Sequence, residues 1–243
     1  QELVEDAIVR AGRGIVERNG NKLTKELYDD IVKLYYMQPT ISQRSSNRIK
    51  MQQYSTPLPM SFVADMFAGE GAESVLEPTA GNGMMVFAIP REKVHVNELD
   101  VTRLAVLQPQ PFMKVTNQDT TMPFEGEEQY DAIIANPPFG AAPAKDYDGK
   151  MISGLDEQIA LNALSKMKDD GKAAIIIGGN MEYGPNGAIK SDKAFFTYLY
   201  DHYNVKGVID MDGKLFSKQG TTFPTRMILI DGRRSEEERA QSK

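Results

Sequence analysis

Apolar residues recur at helical spacing over residues 2–36, first Leu3, Ile8, Ile15 and Val16, then Leu27, Tyr28, Ile31, Leu34 and Tyr35. Asn19-Gly20-Asn21 interrupts the run, so the pattern predicts two helices. The polar stretch 38–53, with Ser42, Ser45, Ser46 and Asn47, reads as a connector. From about Pro59 the period changes to short apolar runs alternating with helical segments, the pattern of a parallel sheet with crossover connections. Strands are expected at 74–77, 93–97, 113–116, 131–135, 173–177, 205–209 and 227–230, and helices at 59–68, 84–87, 101–107, 156–167 and 191–203. Gly- and Pro-bearing stretches at 140–154 and 178–187 read as loops on the side where strands end, and the residues after Asp231 as a frayed tail. The expected class is α/β with a Rossmann-like seven-stranded sheet. Its expected division is a helical segment and connector (1–50), a catalytic domain (51–232) and a tail (233–243).

A chain of 243 residues can bury one sizeable core, and its 41% hydrophobic and 26% charged residues are ordinary for a globular protein. No apolar run approaches the roughly 20 residues of a membrane span, and no signal pattern precedes the first helix, so a cytoplasmic location is expected. The start at Gln1 reads as an excised or processed product. The absence of cysteine excludes disulfides, thiolate zinc sites, cysteine nucleophiles and the covalent route to cytosine C5 methylation. With two histidines, His95 and His202, no metal site is expected, and His95 reads as a packed strand residue. A net charge of −6 has the wrong sign for binding polyphosphate through the overall field. Any nucleic-acid contact must use a local patch, the candidates being Arg44, Arg48 and Lys50, and Lys206, Lys214, Lys218 and Arg226.

Asn136-Pro137-Pro138-Phe139 follows the apolar run at 130–135 and carries the most specific chemistry. An exocyclic amine on adenine is a poor nucleophile because its lone pair is delocalised into the ring. The Asn136 side-chain oxygen and the Pro137 carbonyl can each accept one amine hydrogen, which favours a pyramidal nitrogen, and Phe139 can stack on the base. The alternative is that Asn-Pro-Pro merely ends a strand, since proline donates no ladder hydrogen bond.

Upstream, the first strand delivers Glu77-Pro78-Thr79-Ala80-Gly81-Asn82-Gly83 into a helix. The glycine pair lets backbone approach a ligand, but Met85 and Val86 stand where a dinucleotide fingerprint would continue to a third glycine. The leading acidic residue suits a cationic ligand better than phosphates. Glu98 closes the second strand, where a carboxylate can accept from both ribose hydroxyls, while Asp100 suits a helix cap. Asp119 after the third strand reads equally as an adenine contact or a turn residue.

Thr56-Pro57, the loop from Glu77 to Gly83, Glu98, Asp119 and Asn136 to Phe139 together resemble, in order and approximate spacing over about residues 50–231, the N6-adenine DNA methyltransferases. The similarity is to the subgroup that includes modification subunits of type I restriction systems. It implies the S-adenosylmethionine-dependent methyltransferase sheet, S-adenosylmethionine as cofactor and DNA as partner. By the resemblance, Thr56 and Pro57 close over the methionine end, Glu77, Thr79, Gly81 and Gly83 form the cofactor loop, Glu98 holds the ribose and Asp119 the adenine. Asn136, Pro137, Pro138 and Phe139 form the catalytic motif. A second aromatic contacts the flipped base, for which Phe216 is the preferred candidate and Phe223 its competitor. The chain stops about a dozen residues past the last predicted strand, so a target-recognition domain or subunit outside it is expected. The rivals are an amino methyltransferase acting on ribosomal RNA guanine N2 or protein glutamine, and an idle binding or assembly module that keeps the fold.

Overall fold

Each of the seven apolar runs forms a strand in the computed structural model, which describes residues 2–20, 22, 24–40, 55–179, 185 and 192–241. In chain order these are β1 (Val75–Glu77), β2 (Val94–Asn97), β3 (Lys114–Thr116), β4 (Tyr130–Ala135), β7 (Met167–Gly178), β8 (Tyr203–Met211) and β9 (Thr225–Arg233), with β5 (Ala141–Tyr147) and β6 (Lys150–Gly154) in a separate hairpin. The main sheet runs β3-β2-β1-β4-β7-β9-β8, and β9 is antiparallel to both its neighbours while the other pairings are parallel. The chain therefore builds outward from β1 through β2 to β3, then returns to lay β4 on the other side of β1. That reversal makes a crevice beyond the carboxyl ends of β1 and β4, where open α/β sheets take ligands.

The central strands are apolar on both faces because helices cover both. Ile133 and Ala135 join one core with Ile175, Ile177, Leu161 and Phe195. Ala132 and Ile134 alternate to the other side, against Ala174, Ile176, Ala64, Met85 and Val86. The covering helices include α3 (Leu58–Ala64), α4 (Val101–Leu107), α5 (Leu155–Leu164) and α6 (Lys193–His202).

Helices α1 (Glu2–Arg18) and α2 (Lys25–Met37) bear out the expected N-terminal pair. Ile8, Val9, Val16, Leu27 and Ile31 form a third core with Leu58, Phe62 and Phe87. At Gly12 a Cβ would stand 2.9 Å from the Phe87 ring, so α1 lies closely against the segment that follows the Glu77–Gly83 loop.

Four expectations are corrected. The stretch 140–154 is a hairpin rather than a loop, since Asp148 and Gly149, at φ 53° and 78°, form the two-residue turn that joins antiparallel strands. The helix expected at 84–87 is a short 3-10 turn, and the one at 59–68 passes into a π turn at Asp65–Gly69, where the buried Asp65 carboxylate accepts from Ala88 N at 2.9 Å. The tail is not frayed: Arg233 donates to the carbonyls of Leu164, Ser165 and Met167, and a final helix α7 (Glu236–Gln241) sets Arg239 against Asp148 at 3.1 Å. Most of the connector, including Arg44, Arg48 and Lys50, lies outside the described residues, as does most of the 178–187 loop.

Candidate active site

The carboxyl ends of β1, β2 and β4 open on a cavity of about 300 Å³ lined by Thr56, Glu77, Thr79, Gly81, Glu98, Asp119 and Asn136 to Phe139, among others. Most of the expected site residues therefore meet in one place. Pro57 and Gly83 do not line it. Pro57 starts α3, its carbonyl accepting from Met60 N and Ser61 N. Gly83, at φ 77°, closes the turn after the loop through its N–H to Ala80 O at 2.7 Å.

On the cofactor side, Gly81 adopts φ 58° and donates its N–H to Glu98 Oε2 at 2.7 Å. Glu98 Oε1 accepts from Asp100 N at 2.7 Å, which fixes the carboxylate while leaving each oxygen a further lone pair. Asn97 ties the two strand ends together, donating to Pro78 O and Gln118 O at 3.0 Å each. Asp119 Oδ1 accepts from the N–H and hydroxyl of Thr121, so Asp119 is a turn residue that also lines the cavity.

Burial pushes the Glu77 carboxyl well above the usual carboxylate range, and the neighbouring Asp65 and Glu98 push it further. The same burial raises Glu98, against the stabilising pull of Asp100 N–H, Arg103 and Gly81 N–H. From α1, Arg13 lies behind these acids and donates to Ile89 O at 3.1 Å; its own burial lowers it to about 10. Glu77 Oε2, Thr79 Oγ1 and Asn82 Oδ1 are buried without a hydrogen-bond partner. Buried acceptors of this kind fit a ligand that brings donors and positive charge.

At the carboxyl end of β4, Asn136 donates Nδ2–H to Thr56 Oγ1 at 2.8 Å. Its Oδ1 is buried without a partner. Phe139 stacks with Phe223 at a centroid distance of 5.8 Å and an interplanar angle of 30°. Both rings pass close over Gly178, where a Cβ would stand 3.1 Å from Phe223 and 3.3 Å from Phe139. Phe216, the preferred candidate for the second aromatic, is 1% exposed and packed with Met211 and Met227, whereas Phe223 is 44% exposed. Asp156 borders the same place, accepting from Gly178 N at 2.8 Å, and burial lifts its carboxyl to about 6.

His95 is packed in β2, as expected, against Tyr130 OH and Thr116 Oγ1, and burial pushes it down to about 4. Of the late basic residues, Lys206 and Lys214 are exposed. Lys218 instead donates to Tyr36 O and Gln38 O, and Arg226 is buried in an ion pair with Asp210 at 2.8 Å. Sequence reasoning missed Ser55, Asn82 and Arg103, which also line the cavity. Asn82 stood inside the quoted loop, but nothing in its spacing distinguishes a ligand contact from a turn residue. Among the described residues no cluster of three His, Asp or Glu could hold a metal ion, and no helix is long and apolar enough to cross a membrane.

Residues 110–242 match the family model described as N-6 DNA Methylase. No curated protein matches the chain in sequence. Among solved structures, a putative class I S-adenosylmethionine-dependent methyltransferase from Listeria monocytogenes is similar with a TM-score of 0.56 at 14% identity, over 87% of this chain and 70% of that one. A chain of a type I R-M system gives 0.58 at 15% identity over 87% of this chain and 49% of its own length. The type IIG restriction endonuclease BpuSI gives 0.55 at 11% identity over 96% of this chain and 37% of its own. At these identities the likeness is one of fold, and the chain spans about half of the type I R-M protein and less of the type IIG enzyme.

Proposed function

The chain belongs to the N-6 DNA Methylase family, and from that premise we propose that it methylates the exocyclic N6 amine of adenine in DNA by direct transfer. It is a methyltransferase, and its cofactor is S-adenosylmethionine, which supplies an electrophilic methyl group on a sulfonium. The observation that carries the proposal is the Asn136 amide. Its NH2 end is tied to Thr56 Oγ1, so the end left for a substrate is the oxygen, a buried acceptor with no protein partner. An amine donating one hydrogen to Asn136 Oδ1 and one to the Pro137 carbonyl is drawn toward tetrahedral geometry. Its lone pair is then released for attack. No thiolate is needed for this route, in keeping with a chain without cysteine.

Glu77, Thr79 and Gly81 would hold the methionine arm and Glu98 the ribose, with Asp119 beside the adenine. The raised Glu77 carboxyl supports a cationic ligand, because a nearby positive charge favours its ionised form. Phe139 and Phe223 would hold the extruded base. A base between two rings requires about 7 Å between their planes, twice a stacking distance of about 3.5 Å, so the pair, whose centroids stand 5.8 Å apart, must open by at least about 1 Å to admit it. Stacking returns about 1–3 kcal/mol per base against a flipping cost of a few kcal/mol. Choice of the DNA target is assigned to a recognition element outside these 243 residues, and the net charge of −6 supports that division of labour. Residues 51–232 are proposed as the catalytic domain, with 1–50 and 233–243 flanking it.

The test is to incubate the chain with labelled S-adenosylmethionine and DNA, RNA and protein substrates, then digest and identify the product. N6-methyladenine that disappears with Asn136→Ala, while cofactor binding persists, is the expected result. Label in methylguanine or methylglutamine overturns the adenine assignment, and cofactor binding with no label anywhere favours a partner-dependent or idle module.

A further inference from the structure

The N-terminal helix α1 reaches into the cofactor loop through two carboxylates. Asn82 Nδ2 carries two hydrogens; one goes to Glu2 Oε2 at 2.6 Å and the other to Glu5 Oε2 at 2.7 Å. Glu5, 2% exposed, also accepts from Ser55 Oγ at 2.6 Å. The donor end of the Asn82 amide is thus fully committed to α1. Its other end, Oδ1, is buried without a hydrogen-bond partner, and Asn82 lines the cavity. A buried amide oxygen held away from every protein donor is a standing cost unless a ligand supplies the hydrogen.

We propose that Asn82 is a cofactor contact whose Oδ1 accepts from the ammonium of the methionine arm, and that Glu2 and Glu5 are positioning residues that dictate which end of the amide faces the ligand. The inference rests on the reading that the cavity takes S-adenosylmethionine. The chemistry is selective: an ammonium has three hydrogens to give and no lone pair to receive one. Were the amide free to turn, its NH2 would face that ammonium, donor against donor. The two carboxylates prevent the turn, because the flipped amide would set its oxygen against both of them. Glu5 further joins this loop to Ser55, the neighbour of the Thr56 that holds Asn136. Helix α1 is in this way part of the cofactor site.

The test compares two ligands on the full chain by calorimetry. S-adenosylhomocysteine carries the amino acid arm, and 5′-methylthioadenosine keeps adenine, ribose and sulfur but lacks it. Asn82→Ala is expected to weaken S-adenosylhomocysteine about tenfold while leaving methylthioadenosine within about twofold. Glu5→Ala should show the same selectivity, and the double variant should be no weaker than Asn82→Ala alone, because Glu5 acts through Asn82. Equal weakening of both ligands would show that the loop has merely collapsed, and unchanged S-adenosylhomocysteine affinity or losses that multiply in the double variant would equally overturn the inference. Should Asn82→Ala fail to fold, Glu5→Ala carries the same comparison. If the unaltered chain binds neither ligand, the reading of the cavity itself fails. If it binds both and the variants do not discriminate, only the role of Asn82 falls.

Discussion

On the proposed role of Asn136, Thr56→Val isolates the anchor of its amide. Thr56 is 2% exposed and its hydroxyl accepts from Asn136 Nδ2 at 2.8 Å. Valine has nearly the same shape, so the change opens no cavity but strands one buried N–H. Leaving such a donor unmet costs about 1–3 kcal/mol. The amide can escape by rotating about χ2, which turns NH2 rather than Oδ1 toward the substrate amine. Returning it to the productive orientation then costs the same amount in the transition state. At about 1.4 kcal/mol per factor of ten, the single-turnover rate falls by about 5- to 150-fold. Thr56→Ser keeps the oxygen and should stay within about threefold. The rate is measured at saturating cofactor on an adenine-containing oligonucleotide, with the S-adenosylhomocysteine Kd determined separately. An unchanged rate accompanied by a weakened Kd would refute the anchor argument and make Thr56 a cofactor contact alone.

Two further outcomes are expected. Burial, and then the neighbouring Asp65 and Glu98, raise the Glu77 carboxyl well above the usual carboxylate range, so between the unfolded and folded values the folded chain keeps a proton there that the unfolded chain has released. Stability from this group therefore falls as pH rises, and Glu77→Gln should raise the Tm at pH of about 8 while weakening S-adenosylmethionine. Binding of that cation to the unaltered chain should release protons, read by calorimetry in two buffers of different ionisation heat; proton uptake would contradict it. For the aromatics, Phe216→Ala should cost about 3–5 kcal/mol of stability by core truncation, whereas Phe223→Ala should leave stability nearly intact and lower 2-aminopurine fluorescence on DNA binding by abolishing base extrusion. The reverse assignment of losses would restore Phe216 to the site.

The seven strands were legible because each is a short apolar run whose two faces are both covered, as Ile133 and Ile134 show by entering opposite cores. That Asn136 and the Glu77 loop line one cavity was legible because each stands at the end of a strand. What failed was non-local or marked by a weak signal. The hairpin was lost because Ala, Pro and Gly outweighed the Asp148-Gly149 turn, a pair whose positive φ values are the hairpin's own signature. The contrast between Phe216 and Phe223 was not legible because Phe216 sits in a short 3-10 helix, Gly213–Gln219, and Phe223 in the stretch after it, too short a span for periodicity to tell inside from outside. Arg226 was read as surface because charge argues for solvent, yet its partner Asp210 lies opposite it on β8, a pairing that only the sheet register reveals.

The placement of α1 has the same non-local origin and changes how the site is understood. Four buried acceptors without partners, Glu77 Oε2, Thr79 Oγ1, Asn82 Oδ1 and Asn136 Oδ1, belong to residues lining one cavity. Two of them are amide oxygens whose NH2 ends are tied elsewhere, to α1 in one case and to Thr56 in the other. An ammonium, a sulfonium and an arylamine offer hydrogens, positive charge or both, and each acceptor gains by their arrival. On the proposed function, the same acceptor logic would serve both cofactor binding and amine activation, and the two tied amides would keep it from reversing.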